Sequence, residues 1–170
     1  MSPAIWLTLV ACLTAAYCDV RSRRIPNWLT GATALAAIAL HAVEGWRPLA
    51  IALAVIAVMT LAGTVLYARG GIGGGDIKLA IAGSGLLSYP LCVPFLLYTA
   101  IGGGVLAVLY IIFRPHARPM LSRAILMTSG SVDAAAVRRE SLPYAVAFAF
   151  GAVLVALSES VTPFLRIHLS

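Results

Sequence analysis

Gly70-Gly71-Ile72-Gly73-Gly74-Gly75-Asp76-Ile77-Lys78 parts two long stretches that carry no charge at all. Residues 49–68 precede it and residues 79–113 follow it. In lipid, a backbone satisfies its own hydrogen bonds only as a helix or a closed barrel. Neither stretch alternates with the period of two that a barrel strand requires, so both read as helical. Working outward, the chain divides into six apolar segments, at about residues 3–17, 28–43, 49–68, 77–89, 91–113 and 142–157. The expected fold is therefore all-α: a single polytopic membrane domain over residues 1–170 with about six transmembrane helices.

Composition agrees with that class. Of the 170 residues, 61% are hydrophobic and 11% charged, and the mean hydropathy is +0.98, a balance no soluble domain needs. The net charge of +6 lies in short loops between apolar runs. Such a distribution reports membrane topology and argues against nucleic-acid binding. With the loop after the first helix in the cytoplasm, Arg21, Arg23, Arg24, Arg69, Lys78, Arg114, Arg118, Arg123, Arg138 and Arg139 all fall on that side. Only Arg47 and Arg166 fall outside. Both termini are then expected to be extracytoplasmic, and the first apolar run, which lacks a charged leader, reads as a retained helix.

Cys12, Cys18 and Cys92 form no CxxC pair, which excludes a multi-cysteine zinc site and argues against a disulfide framework. No histidine lies near Cys18 in sequence, so a thiol nucleophile is disfavoured. His41, His116 and His168 are scattered, and no metal or other cofactor is expected.

Two carboxylates carry the chemistry. Asp19 and Asp76 are among only six acidic residues, and each is expected where an apolar helix meets a polar loop on the cytoplasmic side. An acid so placed is functional by default because a carboxylate near hydrocarbon is costly. Each has a plainer reading alone. Asp76 reads as a helix N-cap, and Asp19 as an interfacial residue paired with Arg23 one turn on. The glycines do not form a phosphate loop, since no Gly-Lys-Ser/Thr follows. Together the aspartates suit peptide hydrolysis. One acts as base on a water while the other, protonated, polarises the scissile carbonyl. Gly73, Gly74 and Gly75 lack Cβ atoms and would let an extended substrate backbone approach and pair.

These residues resemble a known family. Gly73-Gly74-Gly75-Asp76 fits the GxGD signature of membrane aspartyl proteases. Asp19-Val20-Arg21-Ser22-Arg23-Arg24-Ile25-Pro26-Asn27 is similar to the stretch after the first helix of the prepilin peptidase core. Asp76-Ile77-Lys78-Leu79 and Ser141-Leu142-Pro143-Tyr144-Ala145 are similar to two later motifs, in the same order. The resemblance implies an aspartic endopeptidase that removes the short basic leader from type IV prepilin and pseudopilin precursors at the cytoplasmic face of the bacterial inner membrane. Asp19 and Asp76 are the implied catalytic pair. The chain has no cysteine cluster and no room for the methyltransferase domain of larger members, so it resembles the short class serving Flp/Tad pili.

Around the pair, Pro26 and Asn27 are expected to start the second helix, Asn27 as its cap. Arg21 and Lys78 either anchor loops to lipid headgroups or tune the aspartates through their charge. Gly102, Gly103 and Gly104 are expected to permit close helix packing. In the 114–141 loop, Met120, Leu121, Ile125 and Leu126 suggest a surface-lying amphipathic turn, and Asp133 and Glu140 a docking point for a basic leader. Two rivals remain: a GxGD intramembrane protease for other helical substrates, and a small proton- or cation-coupled transporter. Ile25-Pro26-Asn27 argues against the first. Against the second, there is no internal repeat and both acids lie at one face. Oligomeric state is not legible.

Overall fold

A computed structural model describes residues 2–69, 73–113 and 144–168, with side chains described throughout except at residues 111 and 161–168. Among the described residues the structure is all helical. Helix α1 spans Pro3–Ser22, α2 Asn27–Glu44, α3 Trp46–Ala68, α4 Gly74–Phe113 and α5 Ala145–His168. Five helices replace the six separate ones expected, because α4 runs through a break. Ser88 (φ 55°, ψ −177°) and Tyr89 (φ −79°, ψ 139°) are not helical, and they divide it into arms at residues 74–87 and 90–113. The apolar part of α4, Gly74–Tyr110, has 37 residues. Straight, it would reach about 55 Å, against roughly 30 Å of hydrocarbon. Three helices, α1, α3 and α4, are long and apolar enough to cross a membrane. The chain is an integral membrane protein.

The break follows from local chemistry. Pro90, four residues beyond Leu86, has no N–H to give to the Leu86 carbonyl. His41 stands there instead, its Nε2 3.2 Å from that oxygen and its Nδ1 2.8 Å from a carboxylate oxygen of Glu44. His41 is thereby built into the join between α2 and α4.

The first arm of α4 is the axis of the bundle. Residues 82–88 are all buried, and α4 packs against each of the other four helices. A helix too short to span lipid is tolerated because protein surrounds it. By contrast α3 buries only Ala52 and Gly63 and turns its remaining faces outward. Hydroxyls within the apolar helices bond back to the preceding turn, as in Thr8 to the Ala4 carbonyl (2.8 Å) and Thr33 to the Leu29 carbonyl (2.8 Å). The hydroxyls so bonded carry no unmet polar demand, whereas those of Ser84 and Thr99 in α4 are buried without a partner among the described residues.

Small residues set the closest crossings. A Cβ on Gly151 of α5 would meet the Thr99 hydroxyl, and would lie 3.0 Å from the Phe95 carbonyl. One on Gly102 would come within 2.7 Å of the Phe150 ring. The second arm of α4 and α5 thus touch nearly backbone to backbone, with Phe95 and Phe148 packed at 6.0 Å between ring centres. The expected packing role holds for Gly102 and Gly103. Gly104 faces open space.

Candidate functional site

Helical period brings Asp19 inside. The buried stripe of α1 runs Ile5, Thr8, Cys12, Ala15, and one further step reaches Asp19, which is 9% exposed. The helix was expected to stop near residue 17, with Asp19 where it meets the polar loop. It continues to Ser22, and the extra turn aligns the carboxylate with the core. Arg23 ends the helix in the left-handed region, its N–H donating to the Asp19 carbonyl at 2.8 Å. The Arg23 charge also acts on the Asp19 carboxylate.

That carboxylate meets the start of α5. The Ala145 N–H donates to Asp19 Oδ2 at 3.3 Å. The Tyr144 carbonyl accepts from Ala147 at 2.9 Å and from Phe148 at 3.4 Å, so Ala145 is the first helical residue of α5. Its N–H is one of the donors that a helix leaves without an internal partner. Asp19 therefore caps α5 from a different helix.

Asp76 sits in the first turn of α4, which begins at Gly74. The N-cap expected at Asp76 is corrected: Asp76 is the third residue of the helix, half-buried. Its carboxylate folds back over Gly73, where a Cβ would lie 2.8 Å from Oδ2. Gly75 lets the α4 backbone press on Ile25, with a Cβ there only 3.3 Å from the Ile25 side chain. Gly74 stands against Tyr67 at ordinary contact distance. Added side chains at Gly73, Gly74 and Gly75 would therefore meet the protein's own side chains.

Lys78 donates from Nζ to Asn27 Oδ1 at 2.9 Å. Asn27 is not the cap of α2; Pro26 holds that position without a side-chain bond, and the Asn27 amide ties α2 to α4. Arg21 is exposed and donates to the Tyr17 hydroxyl at 3.0 Å, away from the aspartates. Residues 70–72 and the 114–141 loop, including Met120, Leu121, Ile125, Leu126, Asp133 and Glu140, lie outside the described residues.

The charge of Asp19, on a helix far away in sequence, acts on the Asp76 carboxylate. Asp76 also opens onto a cavity of about 520 Å³ between α3, both arms of α4 and the start of α5. Its walls are largely apolar and include Met59, Leu66, Thr99, Gly104, Tyr144 and Phe148. The Thr99 hydroxyl is buried and has no hydrogen-bond partner among the described residues. Among the described residues, no three His, Cys, Asp or Glu side chains cluster as metal ligands would.

Sequence reasoning missed the Ala145 contact, and for the cavity beside Asp76 it did not foresee the apolar walls. Those walls need three helices to meet, and no linear pattern announces them. The Ala145 contact had a partial signal, since Pro143-Tyr144-Ala145 marks a helix start whose first N–H groups need partners.

The model of the Type IV leader peptidase family matches residues 6–108, which include Asp19, Asp76, Asn27 and Lys78. No curated protein and no solved structure matches the chain.

Proposed function

The chain belongs to the type IV leader peptidase family, and we propose that it is a membrane aspartic endopeptidase removing the short basic leader from Flp/Tad-type prepilins. The observation that carries the reading is Asp76, which opens onto the cavity and feels the charge of Asp19. Two carboxylates within each other's field share protons and titrate as a pair. The ionised member takes a proton from water as that water attacks the scissile carbonyl. The protonated member donates to the carbonyl oxygen; on C–N cleavage the proton taken from water passes to the leaving nitrogen, and a hydroxyl of the tetrahedral diol returns a proton to the second carboxylate. No cofactor enters this scheme.

The short Flp/Tad class is supported by the link between α1 and α2, where only residues 23–26 intervene. Residues 1–170 act in this reading as one transmembrane domain in the bacterial inner membrane. The cytoplasmic placement of the site and the extracytoplasmic termini rest on the asymmetry of arginines and lysine. The apolar cavity beside Asp76 suits the hydrophobic segment that follows the leader.

Co-expression with an Flp-type prepilin tests the proposal, with the mature N-terminus read by mass spectrometry. Leader loss that requires both Asp19 and Asp76 is the expected result. A precursor left intact by the folded, unmodified chain counts against the peptidase reading for that pilin class. Cleavage that survives Asp19→Asn or Asp76→Asn removes the dyad.

A further inference from the structure

We infer that the backbone N–H of Ala145, at the start of α5, is a positioning group that orients the Asp19 carboxylate for hydrolysis. The inference rests on the peptidase reading and adds to it an element beyond residues 6–108, where the family match ends. An aspartate near a helix end has two side-chain torsions, and a dyad needs both fixed. The Ala145 N–H holds Oδ2 at 3.3 Å, and the positive end of α5 points at the same carboxylate.

The bond is held from below. Ile5, Cys12 and Ala15 of α1 and Ala149, Ala152, Val155 and Ala156 of α5 belong to one buried cluster. Small side chains on both helices keep the backbones near each other, so residue 145 cannot drift from residue 19 without opening the core. A backbone N–H also has no rotamers and no charge of its own. It orients the acid without taking its proton. Arg23 is the charged group that acts on Asp19, and Asp19 in turn acts on Asp76.

Ala145→Pro deletes this one donor. The first position of a helix accepts proline, since its φ fits and the N–H has no helical partner. Ala145→Gly keeps the N–H and serves as the control. Ala145 is fully buried, so the proline ring has little room. Replacing residue 145 with lactic acid, an amide-to-ester exchange, removes the N–H at constant shape. Two quantities are read on the full chain in detergent. The first is the Asp19 carboxylate stretch by infrared difference spectroscopy, assigned by its loss in Asp19→Asn. The second is kcat and KM for an Flp-type prepilin.

In both donor-deleted chains the Asp19 band moves and kcat falls about tenfold with KM unchanged, while Ala145→Gly stays within about twofold. An unmoved band, or a kcat that survives in both, overturns the inference. A loss shared by Ala145→Gly does the same. If the unmodified chain leaves the prepilin intact while the band still moves, the peptidase reading fails, and the Ala145 bond is then only a helix cap.

Discussion

The two carboxylates of the site are held by opposite means. Asp19 ends a regular helix, follows its buried stripe and is gripped by the N–H of another helix. Asp76 begins a helix after a glycine-rich approach, bends back over Gly73 and faces an open cavity. One acid is anchored by packing that extends the length of α1 and α5. The other is placed by the absence of side chains around it and keeps space beside it. A hydrolytic pair needs both conditions, since one group must be rigid and the other must admit a substrate.

The strongest way to break the comparison is to remove either charge. Asp19→Asn and Asp76→Asn should each lower prepilin processing by about 10³-fold or more, because general acid and base roles are both lost. Unequal losses in single-turnover assays would show that the two acids are not one unit. Next in size is Gly73→Ala. Its Cβ would lie 2.8 Å from Asp76 Oδ2 and so must turn that carboxylate. Processing should fall about tenfold with thermal stability unchanged, since small misplacements of a reacting group are costly. Activity equal to the unmodified chain would mean that Asp76 works in another rotamer.

Smaller effects are expected where the two regions are tied together. Asn27→Ala and Lys78→Met each break the same exposed hydrogen bond, and each should cost about threefold in kcat, with the double variant no worse than either. Additive losses would show that Lys78 has a second role. The smallest effect belongs to Gly104→Ala, whose Cβ meets nothing within 4 Å. Stability and kcat should stay within about twofold, with any change appearing in KM, as an altered cavity wall would produce. Gly151→Ala supplies the contrast, because its Cβ meets the Thr99 hydroxyl and the Phe95 carbonyl. A lower melting temperature in detergent is expected there and not at Gly104.

Much of the site was legible in the residues. An aspartate in a charge-poor apolar chain stands out because lipid penalises it, and this marks Asp19 and Asp76 without any fold. The local environment of each was not. Asp19 was expected at the very end of the first helix because Arg21, Arg23 and Arg24 look like the loop beyond it. The helix persists to Ser22 because those side chains reach outward while its inner face stays packed. Asn27 was expected to cap its own helix, yet its amide serves Lys78, a partner 51 residues away. The break at Ser88–Tyr89 was anticipated at Pro90, but the role of His41 beneath it was not.

The sequence alone determined the helical class and the membrane setting, and it singled out the two acids of the proposed pair. Each follows from local cost: hydrocarbon admits only internally bonded backbone and rejects charge without a purpose. Tertiary structure alone decided that the charge of Asp19 reaches Asp76, that Asp19 caps α5, and that a cavity opens beside Asp76. Those facts depend on which helix faces pack together. Faces are chosen by small-residue contacts between segments far apart in the chain, such as Gly102 with Phe150 and Gly151 with Thr99. No window of sequence contains both partners of such a contact.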